Sequence, residues 1–167
     1  MTEVSKKENP PTLKKPEIFF LSLGGIGFIP KAPGTYASIA TLALLSIFGQ
    51  ANIPFFLFVP FLVIITGISI FLINYVQKIY RIEDPSWIVI DEFLGIFVAW
   101  AFIANHHPLH YITILVLFRF FDIWKKGPVG YIDKNYKNGM GVMLDDAVAG
   151  LLAGLLYRGI TFLNILP

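Results

Sequence analysis

The 167-residue sequence contains no cysteine, which excludes disulfides, thiolate metal sites and cysteine nucleophiles. Charge is scarce as well. Asp, Glu, Lys and Arg together make up 14% of the chain, against roughly 25% in an ordinary soluble domain. The signs nearly balance, with a formal net charge of +2 and a pI of about 8.8. The basic residues sit in short segments between apolar runs and form no aromatic-interleaved basic face, so no nucleic-acid partner is expected. Four lysines occur in the first fifteen residues, but Pro10, Pro11 and Pro16 interrupt them and no signal-peptide cleavage pattern follows. Apolar side chains are what the sequence has in abundance: 56% of residues are hydrophobic, 16 of them Phe, and the mean hydropathy is +0.69. This composition points to a small polytopic membrane protein rather than a soluble bundle with a very apolar core.

Residues 1–16 are polar and proline-broken, and read as a disordered cytoplasmic tail; residues 17–167 read as a single helical membrane domain. Pro16 to Phe20 begins a short interfacial helix. Gly24, Gly25, Gly27, Pro30, Pro33 and Gly34 follow too closely for one regular helix. They predict a loop whose backbone N–H groups can face a ligand. Thr35 and Ser38 are candidate caps and hydroxyl donors for a first helix ending near Phe48. At about fourteen residues that helix is short for a span, or re-entrant, or begins earlier. Further spans are expected over Phe55–Tyr80, Trp87–Ala104, Tyr111–Trp124 and Val142–Phe162, with KKGPVGYIDKNYKNG (125–139) as a polar loop. The expected fold is therefore all-α, a polytopic helical membrane bundle of about four to five membrane-embedded helices with the first short or re-entrant. Five spans place the basic segments 6–31, 78–81 and 125–137 on one side. The turns at 50–54 and 105–110, which lack Lys and Arg, fall on the other, a positive-inside pattern that Arg158 alone departs from.

In this topology the polar groups of four helices share one depth. Asp91 lies about 7 Å into its span at 1.5 Å per residue. Arg119 and Asp122 lie near the cytoplasmic end of the next span, Asp145 and Asp146 near the start of the last, and Gly34, Thr35 and Ser38 at the start of the first. Carboxylates packed at that depth repel and persist as anions only when neutralised. Hard oxygen donors, with no cysteine and with His106, His107 and His110 on the far side, favour Mg²⁺ over Zn²⁺. A metal, Arg119, Lys125 or Lys126 and a glycine-rich turn together suit a phosphate group. At the headgroup level, that phosphate points to a phospholipid-like substrate entering sideways. Blander readings remain for single residues. Asp91 and Glu92 can lock to Arg119 between helices, Asp145 or Asp146 can cap the last helix, and Asp122 can simply hold Arg119. Lys125 and Lys126 can be interfacial anchors, and Asp133, Lys134 and Lys137 solvated loop residues.

The segments GFIPKAPGTYAS (27–38), IVIDEFLG (88–95), RFFDIWKKGPVGYIDK (119–134) and GMGVMLDDAVAG (139–150) resemble the phosphatidylglycerophosphatase A family, in the family's order and across nearly all of the expected folded chain. Ala37, where a glycine is common, and Lys126-Gly127-Pro128 depart from the pattern. The resemblance implies a Mg²⁺-dependent hydrolase that removes the terminal phosphate of phosphatidylglycerophosphate to give phosphatidylglycerol. It also implies a bacterial cytoplasmic or inner membrane location, with the active site facing the cytoplasm. Asp91, Glu92, Asp122, Asp145 and Asp146 match its acidic positions, Arg119 and Lys125 its basic ones, and Pro33, Gly34, Thr35 and Ser38 its N-terminal motif.

The resulting expectation assigns metal binding to Asp91, Glu92, Asp145 and Asp146, and catalysis to these four with Arg119 and Asp122. Phosphate binding falls to Gly34, Thr35, Ser38, Arg119, Lys125, Gly139 and Gly141, with the last two letting the chain turn closely over the phosphate. Attack by an activated water is favoured, with an aspartyl-phosphate open as the alternative. Two other classes compete: a cation transporter or channel using the buried acids, and a non-enzymatic helical assembly protein. Gly150 and Gly154, four apart, allow a close helix contact within or between chains, and the sequence sets no oligomeric state.

Overall fold

A computed structural model describes residues 12–50, 54–83, 85–103 and 106–165. Most of the expected tail and of the 50–54 turn, and Asn105, lie outside the described residues. The elements are α1 (Pro16–Leu21), a 3-10 turn (Ile26–Phe28), α2 (Pro33–Gln50), a 3-10 turn (Phe55–Phe58), α3 (Val59–Tyr80), α4 (Ile90–Trp100), α5 (Pro108–Trp124), α6 (Pro128–Asn135) and α7 (Gly139–Phe162). The fold is all-α among the described residues.

The number of membrane-crossing helices differs from expectation. Among the described residues, two helical segments are long and apolar enough to cross a bilayer, Phe56–Tyr80 and Gly139–Phe162, rather than four or five. The expected third span contracts to α4, whose 11 residues reach about 16 Å against a hydrocarbon core of about 30 Å. Its preceding residues are held out of the helix because Val89 N donates to Leu21 O of α1, 3.0 Å away. α4 is apolar because protein covers it: Ile96, Phe97, Ala99 and Trp100 are all buried. α3 is apolar for the opposite reason. Val63, Ile64 and Phe71 are 67%, 61% and 69% exposed, an outward apolar surface that only a hydrocarbon solvent accommodates without cost. The first helix begins earlier than Thr35, at Pro33, a residue suited to the first helical turn.

α7 is the central helix. It packs most extensively on α4, then on α5, α6 and α3. The α4 contact depends on glycine: a Cβ at Gly150 would collide with the backbone carbonyl of Gly95, and one at Gly154 with the Phe102 ring. The four-residue glycine spacing thus serves a contact inside the chain. At its start, α7 is capped by Asn138, whose side chain accepts from Gly141 N at 3.0 Å. Asn74 of α3 accepts from Gly139 N at 2.7 Å. The segment expected to be a polar loop instead forms α6, which begins at Pro128 and ends at Asn135. Its Val129 and Gly130 are buried while Tyr131 stays 63% exposed, so one narrow face suffices to hold it against α7.

Candidate active site

Four helix ends meet around one cavity. The start of α2 supplies Pro33, Gly34 and Thr35; the first turn of α4 supplies Asp91 and Glu92; the last turns of α5 supply Arg119, Asp122 and Ile123; α7 supplies Val142, Asp145 and Asp146. Lys125, just past α5, completes the wall, together with Lys31, Ala32, Ser86 and Ile88. The cavity measures about 390 Å³, in the range of small-molecule sites. Asp91 and Glu92 occupy the first turn of α4, where the exposed backbone N–H groups favour anions.

The acids divide into two groups with different partners. One carboxylate oxygen each from Asp91, Glu92 and Asp146 lie within 4.8 Å of one another. Asp145 faces elsewhere: its Oδ2 accepts from Lys125 Nζ at 2.8 Å, and its Oδ1 accepts from the Asp146 backbone N–H at 3.0 Å. Consecutive helical residues point about 100° apart, and here the two carboxylates take different neighbours although both line the cavity. Neither acid caps α7, since Asn138 does so.

Two cations face the acids. Arg119 Nη1 lies 2.8 Å from Asp122 Oδ2 and 3.7 Å from Glu92 Oε1, and its Nε is buried without a hydrogen-bond acceptor. Lys125 Nζ is held between Asp145 and Asp133 Oδ1, the latter at 2.9 Å. Burial disfavours the Lys125 ammonium, but the hydrogen bonds it donates to Asp145 and Asp133 outweigh this and hold the group above the ordinary lysine value. Asp133 is pulled below the ordinary carboxylate value, chiefly by its hydrogen bond with Lys125.

A divalent cation fits the three-carboxylate group. Glu92 Oε2 and Asp146 Oδ2 are buried without a hydrogen-bond donor, and buried anionic oxygens need a counter-charge. All the donors are hard oxygens, the set that suits Mg²⁺.

The remaining residues expected at the site fall outside this cavity. Ser38 is buried one turn along α2, where its Oγ donates to Gly34 O at 2.8 Å. Gly139 packs against the Ile70 carbonyl of α3, and Gly141 against the Tyr136 carbonyl, so each permits a close backbone approach away from the cavity. Asp133 is not a solvated loop residue: it joins Lys125 and, at 3.8 Å, Lys137. Lys31 and Ser86 line the cavity although the sequence reading assigned them no site role. Basic residues next to a glycine- and proline-rich turn were the available signal for Lys31; nothing in the sequence marked Ser86.

Fold and site together define a membrane-embedded helical protein with a carboxylate cluster facing a guanidinium and an ammonium. Residues 19–161 match the family model of phosphatidylglycerophosphatase A, and the chain belongs to that family, which makes it a hydrolase by type. It is 34% identical over 143 residues to "Phosphatidylglycerophosphatase A" of Escherichia coli, covering 80% of this chain and 77% of that one. It is also 34% identical over 147 residues to the protein of the same name in Haemophilus influenzae, covering 87% and 89%. A Bacteroides thetaiotaomicron relative named "Putative phosphatidylinositol-3-phosphatase" is 32% identical over 153 residues, covering 86% and 94%. No solved structure matches the chain at a significant level.

Proposed function

We propose that the protein is a Mg²⁺-dependent phosphatase that removes the terminal phosphate of phosphatidylglycerophosphate, leaving phosphatidylglycerol, at the cytoplasmic face of a bacterial membrane. The observation that carries this reading is the grouping of Asp91, Glu92 and Asp146 on the wall of a cavity shared with Arg119 and Lys125. The names of the Escherichia coli and Haemophilus influenzae relatives supply the substrate, and Lys31 and Lys125 on the cavity wall favour the cytoplasmic side, where basic residues concentrate.

Asp91, Glu92 and Asp146 would hold the cation. When bound, Mg²⁺ supplies Lewis-acid charge to the phosphoryl group and to an attacking water. The chain's own residues do the rest. The Arg119 guanidinium, with its unsatisfied Nε, binds the non-bridging phosphate oxygens, and Lys125 neutralises the charge that spreads over the phosphoryl group during transfer. Asp122 fixes the guanidinium, and Asp145 with Asp133 fixes the ammonium, so both donors are positioned before substrate arrives. Thr35, at the cavity rim, is placed to donate a hydroxyl to the phosphate. Asp145 would orient Lys125, with which it pairs.

Phosphate release by purified protein in mixed micelles of phosphatidylglycerophosphate tests the proposal. Release is expected with Mg²⁺, is lost on chelation, and falls by at least about a hundredfold in Asp146→Asn with folding intact. No release from this substrate, or full activity in that variant, overturns it. A phosphatidylinositol phosphate run in parallel asks whether the headgroup named for the Bacteroides relative is also hydrolysed.

A further inference from the structure

A second concavity, of about 410 Å³, lies beside the polar cavity and differs from it in chemistry. Phe19 and Leu23 form one wall, Ala40, Thr41 and Leu44 of α2 the other, and Phe93 of α4 the floor. Thr41 contributes the only polar side chain, and Phe19 and Leu44 are 54% and 47% exposed. The two concavities are lined by neighbouring residues of the same helices. Glu92 lines the polar one and the next residue, Phe93, lines the apolar one. On α2, Gly34 belongs to the first and Thr41 to the second, about 10 Å further along the helix at 1.5 Å per residue. The groove therefore lies further along α2 than the charged cavity and on a neighbouring position of α4.

We infer that this groove seats one acyl chain of the lipid whose phosphate occupies the polar cavity. The inference rests on the function proposed above and names the part of the substrate that the polar cavity cannot read. A lipid phosphate joins a charged group to apolar chains, and the structure offers a charged cavity and an apolar groove on the same two helices, α2 and α4. Because lipid tails are as apolar as the groove, transferring a chain from bilayer to groove gains nothing from the hydrophobic effect. The groove acts by orientation: a seated chain fixes the glycerol unit and with it the scissile phosphate against Arg119 and the acids.

Filling the groove tests this. Ala40→Trp places a large ring in the groove from an exposed helix position, and Leu44→Trp does so from a second. Ala43→Trp adds the same bulk on the exposed surface of α2 outside the groove. Each is assayed, after circular dichroism confirms helix content, on a long-chain lipid phosphate in mixed micelles and on a water-soluble analogue with the same headgroup and very short chains. The long-chain to short-chain ratio of kcat/KM is expected to fall on the order of tenfold in Ala40→Trp and Leu44→Trp, and to stay at the wild-type value in Ala43→Trp. An unchanged ratio in both groove variants overturns the inference, as does an equal fall in Ala43→Trp. If bulk bilayer lipid or a second copy of the chain fills the groove, both substrates change together; a second copy also shifts the oligomeric state by light scattering. Failure of the function proposed above reads differently, as wild-type protein inactive on both substrates.

Discussion

Replacing Gly34 with alanine separates the geometry of the site from the stability of the fold. Gly34 has an ordinary helical backbone, so alanine introduces no backbone strain, and in a helix alanine is favoured over glycine by up to about 1 kcal/mol. The added methyl has nowhere to go. Its carbon would sit well inside contact distance of Glu92 Oε1, 2.9 Å from Glu92 Cδ and 3.2 Å from Arg119 Nη1. Glu92 must withdraw by about 1 Å or more, and misplacement of a site group on that scale costs on the order of a hundredfold in rate. Glu92 sits with Asp91 and Asp146 on one side and Arg119 on the other, so its shift disturbs both the acid group and the guanidinium. The expected outcome is a loss of phosphate release of about a hundredfold, with a thermal midpoint by circular dichroism equal to or above wild type. Activity within twofold of wild type in folded Gly34→Ala would refute the argument, because a displaced Glu92 would then be irrelevant to the chemistry.

Added Mg²⁺ should raise the thermal midpoint of the wild type, since an ion that binds only the folded state stabilises it by about 2.7 kcal/mol at a hundred times its dissociation constant; Asp146→Asn should lose most of that shift in the same melt. Asp133→Asn should lower stability by about 0.5–1 kcal/mol, the range for a partly exposed pair, and reduce activity through Lys125. The pH dependence follows from the two shifts. Asp133, held below its ordinary value, contributes fully above about pH 4 and loses the contribution as pH falls through its lowered folded value. Lys125, held above its ordinary value, contributes fully below about pH 10 and loses it only at more alkaline pH. Melts of wild type and Asp133→Asn should therefore differ by a constant amount from pH 5 to 9 and converge in acid. Ile68→Arg, at an exposed position midway along α3, should cost about 3 kcal/mol of membrane insertion, read as a smaller carbonate-resistant membrane fraction; unchanged insertion would mean that this face does not meet lipid.

The helices were legible from apolar runs, but the role of each run was not. Trp87–Ala104 and Phe55–Tyr80 read alike as hydrophobic segments, yet Ile96 is buried by protein while Phe71 is open. A hydropathy pattern reports that water is excluded without saying whether protein or lipid excludes it. The same limit hid α6, whose buried face is little more than Val129 and Gly130, too narrow to leave a periodicity. Candidate site residues on regular helices were legible because helical rise places them at a level. Asp133 escaped because its partner, Lys125, lies eight residues away across a turn at Gly127 whose φ is +64°, and no spacing rule relates residues on either side of such a turn.

Charge bookkeeping explains why the adjacent acids at 145 and 146 need different surroundings. Arg119 is taken up chiefly by Asp122 at 2.8 Å, with Glu92 at 3.7 Å, and Lys125 is shared by Asp145 and Asp133. Beside these pairings, one carboxylate oxygen each from Asp91, Glu92 and Asp146 lie within 4.8 Å of one another. A dication is the simplest counter-charge of sufficient size. The 100° step between Asp145 and Asp146 makes this division possible: one acid pairs with Lys125, and under the proposed function the next would add a donor to the group that holds the metal. Two acids on one face would compete for a single partner; placed in sequence on a helix, they would serve both sides of the phosphoryl group that the proposed function places between them.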